Sequence, residues 1–272
     1  MIVLTDALPL EFARALASTA AARGVFGARV VYHHETASTN DLAARAADRG
    51  EPEGSTFLAS AQTAGRGRLG RTWVSPPGAG LYMSTIVRRR SLAPWITLAG
   101  GVAAAEGIRA ATGLPVQIKW PNDIVAVDGG GFRARRKIAG VLAEAASGPE
   151  GVHHVILGIG INLRPAVLRS DVVPKASSLE AELGRPVDGG LVMAHVLAAF
   201  NTMLETIERG GAHPLIARWH ELSPSACGAP IEWDAAAAVR TGVTAGLAED
   251  GALLANSDGA IERIVAGEVR WL

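Results

Sequence analysis

A single cysteine, Cys227, is all the thiol chemistry in this chain. That excludes an intrachain disulfide framework and cysteine-built zinc sites, and the expected place for Cys227 is a small buried position or a linker. Excess charge of either sign is also absent. Lys and Arg number 26 against 26 Asp and Glu, so nothing in the whole-chain electrostatics favours nucleic acid. No uninterrupted apolar run reaches the roughly 18 residues of a spanning segment, and the first thirty residues carry acids and lack the order of a signal peptide. A cytoplasmic protein with no membrane partner is the expectation. The histidines build no metal site. His33 and His34, like His153 and His154, are neighbours on predicted strands and point to opposite faces, while His213 and His220 lack helical metal-pair spacing. No metal ligand is assigned.

What the chain does have is concentrated at residues 62–73, Gln-Thr-Ala-Gly-Arg-Gly-Arg-Leu-Gly-Arg-Thr-Trp. Arg66, Arg68 and Arg71 alternate with Gly65, Gly67 and Gly70 between two strand-like runs. Glycine lets backbone approach a ligand closely, and arginine brings forked donors suited to carboxylate or phosphate. The stretch also fits G-x-G-x-x-G, but a dinucleotide fingerprint needs a helix opening at its end. Pro76 and Pro77 forbid one. A loop closing over an anion and a solvated basic turn both remain open from this segment alone.

Three further segments carry weight. Gln117–Ile124 is a short strand ending at Pro121, with Lys119 just before the break. A lysine there is an edge gatekeeper or a charge held for a ligand, and Asn122 and Asp123 are ordinary turn residues. Ser38, three residues before Asp41, fits a helix N-cap with an acidic partner. In Val155–Asn162, Gly158 and Gly160 share one strand face and leave room for something flat.

Taken in order, Ser-Thr-Asn at 38–40, the Gln-x-x-Gly-Arg-Gly-Arg-x-Gly-Arg-x-Trp run at 62–73, Lys-Trp-Pro-Asn-Asp at 119–123, Lys-Ile-Ala-Gly-Val-Leu at 137–142 and Gly-Ile-Gly-Ile-Asn at 158–162 resemble the signature of biotin–protein ligases. The resemblance implies an α+β fold, a mixed-sheet catalytic domain of the biotin/lipoate-ligase type with a small C-terminal SH3-like β-barrel. It implies ATP-dependent attachment of biotin, through biotinyl-5'-AMP, to a lysine of a biotin carboxyl carrier domain, with Mg²⁺ accompanying ATP. Residues 1–222 would form the catalytic domain, with 1–28 as a helical extension, 223–230 a linker and 231–272 the barrel. Many relatives carry an N-terminal winged helix-turn-helix. About thirty residues precede the first core strand here, too few for that module, so a monofunctional ligase that binds no DNA is expected.

The resemblance also assigns residues. Lys119 and Arg68 would offset the repulsion between biotin carboxylate and α-phosphate, with Arg66 as a third candidate. Ser38, Thr39, Asn40, Gln62, Gly65, Arg66, Gly67, Gly140 and Gly158 would surround biotin, together with Arg68 and Lys119. Arg68, Arg71, Trp73, Lys119, Asn122 and Asn162 would meet the nucleotide, Trp73 by stacking on adenine. Without an anion, three like charges on a glycine-rich loop are expected to hold it loosely. Lipoate ligation and non-catalytic biotin sensing are the alternatives.

The remaining elements follow from periodicity. Helices are expected at Leu10–Arg23, Thr39–Arg49, Pro94–Thr112, Ser178–Leu183, Leu191–Arg209 and Pro214–Leu222. Strands are expected at Arg29–Glu35, Ser55–Ala61, Leu81–Arg88, Val116–Trp120, Ile124–Val127, Lys137–Ala146 and His153–Ile161, then as short alternating runs after Pro230. The basic excursion Asp128–Arg136 reads as a solvated hairpin tip, with acceptor docking as its alternative.

Overall fold

The computed structural model describes residues 6–127, 135–167, 176–235 and 238–272. Most of the predicted excursion, 128–134, lies outside them, and its last residues, Arg135 and Arg136, open a strand. The chain runs α1 (Leu10–Ser18), α2 (Ala20–Arg23), β1 (Val30–Thr36), α3 (Thr39–Asp48), β2 (Thr56–Gln62), β3 (Gly80–Val87), α4 (Ile96–Thr112), β4 (Gln117–Lys119), β5 (Asp123–Val127), β6 (Arg135–Gly148) and β7 (Gly151–Asn162). It continues through α5 (Leu179–Leu183), α6 (Gly189–Gly210) and α7 (His213–Leu222) to β8 (Cys227–Ala235), β9 (Ala238–Leu247), β10 (Leu253–Ser257), β11 (Ala260–Ile264) and β12 (Val269–Trp271).

The first sheet has seven strands in the order β1-β2-β3-β7-β6-β5-β4, with β1 and β2 parallel and the other pairs antiparallel. It is the mixed sheet expected. Strand alternation separates two faces. Leu81, Met83, Val141, Leu157, Ile159 and Ile161 face a large core shared with α4 and α6. On the other face, Phe57, Ile86 and Ile156 form a small cluster with Ala43, Ala46 and Ala47 of α3. α6 is long and apolar enough to cross a membrane by length and composition, yet most of that stretch is buried as the helix packs on α1, α2 and α4.

Local chemistry explains most boundaries. Gly113, left-handed at φ 78°, ends α4. That helix begins at Ile96 rather than Pro94, because Pro94 lies within a 3-10 turn at Arg90–Trp95. The expected Leu10–Arg23 helix breaks at Thr19 into α1 and α2, where the Thr19 hydroxyl donates 2.8 Å to the Ala15 carbonyl.

The second sheet is five-stranded and antiparallel, in the order β11-β10-β9-β8-β12. Its strand β8 starts inside the stretch read as a linker, and Cys227 at that start is exposed rather than buried. Ile231, Trp233, Leu247 and Leu253 belong to the same core as Trp219 and Leu222 of α7. Leu247 N–H donates 2.9 Å to His220 Nε2, and the indoles of Trp95 and Trp120 donate to the carbonyls of Glu249 and Gly251 at 3.2 and 3.0 Å. These contacts dock the turn between β9 and β10 against Trp95 and Trp120 beside the β4 edge of the first sheet.

Candidate active site

Register builds the floor of the site. Lys119 pairs with Asp123, Asp123 with Gly140, Gly140 with Gly160, and Gly160 with Tyr82. These five residues form one row across β4, β5, β6, β7 and β3. The next row is Ser84, Gly158 and Leu142, and the third is Ile86, Ile156 and Glu144. The third row lies under α3, so the helix ends where the first two rows open. The hairpin between β2 and β3 covers them, and together they enclose a cleft of about 950 Å³ including its mouth.

The two glycine rows hold side chains. A Cβ on Gly160 would lie 2.6 Å from the Trp73 indole, and one on Gly140 3.1 Å from it. Trp73 therefore lies on the paired glycines, with Lys137 Nζ 5.1 Å from its ring centre. A Cβ on Gly158 would meet Asn40 Oδ1 at 2.2 Å, so that gap seats the Asn40 amide. The room read from sequence is real, and Trp73 and Asn40 fill it. Gly160, read from sequence as leaving room but given no ligand, is the tighter of the two positions under the indole.

A polar chain ties the walls together. Gln62 Oε1 accepts from Thr39 N–H at 2.9 Å and lies 3.1 Å from the Thr39 hydroxyl, while Gln62 Nε2 donates 3.0 Å to Ser75 Oγ. The Ser84 hydroxyl sits 2.7 Å from Thr39 Oγ1 and 2.5 Å from Asn40 Oδ1, and Asn40 Nδ2 donates 2.5 Å to Glu144. Ser38, Thr39 and Asn40 are buried. Ser38 occupies the N-cap of α3 as expected, but its hydroxyl makes no capping bond. Asp41 pairs with Arg66 at 2.6 Å instead of completing a capping box.

The hairpin is closed by Trp73 N–H to the Gly65 carbonyl, 2.9 Å, and Gly67 N–H to the Arg71 carbonyl, 2.7 Å. Gly65 must be glycine, since a Cβ would lie 2.4 Å from the Trp73 carbonyl. Its tip turns through Leu69 and Gly70, left-handed at φ 56° and 72°. The repulsion expected among the three arginines is offset locally. Arg66 spans Asp41 and Glu144, at 2.6 and 3.0 Å, and Arg71 pairs with Glu268 from the loop before β12. Hydrogen bonding raises both guanidinium pKa values, through Asp41 first for Arg66 and Glu268 for Arg71.

Arg68 and Lys119 are different. Both line the cleft, and neither makes an ion pair among the described residues. Arg68 Nη1 donates only a long 3.4 Å bond to Asn122 Oδ1, while Asn122 Nδ2 is committed to the Val141 carbonyl at 2.8 Å. Burial lowers the pKa of each. For Arg68 only Asp123 opposes it, and for Lys119 Asp123 and Glu268 oppose while Lys137 and Arg135 add to it. Asp123 is itself bound 2.6 Å from Lys137. Sequence reading left out Asp123, Lys137 and Glu268, all of which line the cleft.

Thirteen of the residues singled out from sequence line this cleft: Ser38, Thr39, Asn40, Gln62, Arg66, Gly67, Arg68, Arg71, Trp73, Lys119, Asn122, Gly140 and Gly158. Two do not. Gly65 lies within the hairpin, bonded to Trp73 and outside the cleft lining, and Asn162 is buried at the end of β7, where Nδ2 donates 2.9 Å to the Ser177 carbonyl. No group of three or more His, Cys, Asp or Glu side chains placed to hold a metal occurs among the described residues.

Comparison with known proteins agrees with this architecture. Residues 34–162 match the model of the Biotin/lipoate A/B protein ligase family. The chain is 31% identical over 250 residues to Bifunctional ligase/repressor BirA of Bacillus subtilis, covering 90% of this chain and 74% of that one. It is 32% identical over 222 residues to the Biotin--[acetyl-CoA-carboxylase] ligase of Paracoccus denitrificans, covering 78% and 88%. The structure of biotin protein ligase from Aquifex aeolicus in complex with biotin and ATP superposes with a TM-score of 0.74 at 26% identity, covering 90% of this chain and 99% of that one. With such identity sustained over most of each relative, and with the fold shared, the chain belongs to the biotin protein ligase family.

Proposed function

We propose that this ligase binds biotin and ATP in the cleft, forms biotinyl-5'-AMP there, and transfers biotin to a lysine of a biotin carboxyl carrier domain. The observation that carries the reading is the pair of half-buried cations, Lys119 and Arg68, left without carboxylate partners among the described residues beside a neutral polar wall of Thr39, Asn40 and Gln62. Neutral donors and acceptors over a glycine-lined floor suit a ureido ring, and unpaired cations suit the anions that must meet.

In the first step a carboxylate oxygen of biotin attacks the α-phosphorus of ATP, and the bond to the β-phosphate oxygen breaks, releasing pyrophosphate. Lys119 and Arg68 act by electrostatic stabilisation and positioning. In the second step the acceptor amine attacks the acyl carbonyl. AMP leaves with its oxygen, the nitrogen loses a proton, and an amide remains. Trp73, held over Gly140 and Gly160, is the side chain for adenine in this reading, and Arg71 meets the nucleotide phosphates. Mg²⁺ would arrive with ATP and be held by phosphate oxygens and water, since the cleft carboxylates Asp123 and Glu268 are each paired with a cation. On the same reading residues 1–222 form the catalytic domain, 231–272 an SH3-like domain that supplies Glu268, and the enzyme works in the cytoplasm.

Incubation with labelled biotin, Mg-ATP and a biotin carboxyl carrier domain tests this. Label on a carrier lysine, with pyrophosphate and AMP released, is the expected result. Preference for lipoate, or biotin binding without AMP formation, would overturn it.

A further inference from the structure

Glu144 does not line the cleft, yet its carboxylate reaches two groups that do. Oε2 accepts from Asn40 Nδ2 at 2.5 Å and from Arg66 Nη2 at 3.0 Å, and Oε1 lies 3.2 Å from the same Arg66 nitrogen. An ionised carboxylate only accepts hydrogen bonds. It therefore fixes the Asn40 amide with nitrogen toward Glu144 and oxygen toward Ser84, over the gap at Gly158. The second oxygen helps hold Arg66, whose other arm is on Asp41 of α3. Arg66 lies at the hairpin bridge to Thr72, so one carboxylate on β6 orients the floor and fastens the lid.

We propose that Glu144 is a positioning residue of the ligation reaction, acting through Asn40 on biotin binding and through Arg66 on retention of the adenylate. Resting on the biotin-ligase reading, this removes Arg66 from the cations that offset the reacting anions and makes it the staple of the Arg-Gly hairpin. The staple is half exposed, with side-chain exposure of 40% for Arg66 and 42% for Glu144, so salt screens it. The Asn40 bond is made to a buried partner and is not screened in that way.

Two substitutions separate the two arms. Glu144→Gln still offers an oxygen to Asn40 but is neutral toward Arg66. Release of biotinyl-AMP, followed by filter binding after a single turnover without carrier, should quicken about fivefold, the scale of one partly exposed ion pair, while KM for biotin stays within twofold. Glu144→Ala removes both arms, adding a rise in biotin KM of about tenfold, the scale of one charge-assisted hydrogen bond. Release from the Arg66→Gln/Glu144→Gln double variant should equal that from Arg66→Gln alone, because both break one contact. High salt should quicken release from the wild-type enzyme more than from Glu144→Gln, which keeps only the Arg66–Asp41 pair to be screened. Additive release rates, or equal biotin KM values for Gln and Ala, would overturn the proposal. A wild-type enzyme that forms no adenylate would instead overturn the functional reading beneath it.

Discussion

The cations around this cleft fall into two sets. Arg66 is partly and Arg71 largely exposed, and both are answered by carboxylates, from α3, β6 and the loop before β12. Arg68 and Lys119 are half-buried and have no ion-pair partner among the described residues. An exposed pair contributes about 0–1 kcal/mol and is screened by salt, so the first set shapes the hairpin. A cation withdrawn from water without a partner raises the energy of the free protein, and a bound anion offsets that cost. In the proposed function the second set is where substrate charge would be met.

Removing a member of the unpaired set should have the largest effect. Lys119→Met should lower biotin-dependent pyrophosphate exchange about 10²- to 10³-fold, the scale of one electrostatic donor. It should leave thermal stability unchanged or raised, because a desolvated charge is removed. The pH dependence has a definite sign. The folded pKa of Lys119 is below its unfolded value, so between the two the unfolded chain binds more protons and stability rises with pH. That rise should be absent from Lys119→Met, and so should appear as the pH dependence of the stability difference between wild type and variant. Activity that needs the ammonium should fall on the alkaline side below the ordinary lysine pKa. Near-normal exchange in Lys119→Met would merge the two sets into one.

An intermediate effect should come from moving the hairpin without touching charge. A methyl at Gly160 would lie 2.6 Å from the Trp73 indole, against 3.1 Å at Gly140. Gly160→Ala should displace the ring at a cost of about 1–3 kcal/mol and raise KM for ATP by roughly tenfold, with Gly140→Ala doing less. Equal effects from both would show that the indole is not fixed by this floor.

How far the site could be read from the sequence follows from distance along the chain. The alternation that puts Gly158 and Gly160 on one face is local, and so is the isolation of Lys119 before Pro121. Both survive in the structure. What fills the glycine gaps is not local. Asn40 and Trp73 arrive from α3 and the hairpin, and Glu144 and Glu268 stand 78 and 197 residues from the arginines they hold. A basic loop read without those acids looks self-repelling. Asn162 is the same kind of case, since the Ser177 carbonyl that its amide serves is not visible from its motif. The second sheet was legible as strands and turns, but nothing in its pattern announced that its last loop would reach the cleft.

The smallest effect should come from the paired set. Arg71 and Glu268 join the hairpin to the loop before β12 through side chains 63% and 44% exposed. The Arg71 pairing holds the Glu268 carboxyl below its ordinary pKa, so the stability it gives is present above the unfolded value and lost as pH falls through the folded one. Arg71→Ala should change stability by no more than about 1 kcal/mol. Half or more of that should disappear in 0.5 M salt, where the Debye length is about 4 Å. Pyrophosphate exchange should fall by less than about tenfold, since Arg71 can turn from Glu268 to a phosphate but does not face the reacting atoms. Stability and exchange, measured across salt for Arg71→Ala beside Arg68→Ala, put the two sets on one scale. If Arg71→Ala loses as much exchange as Arg68→Ala at every salt concentration, pairing in the free enzyme does not predict which cations meet the substrate.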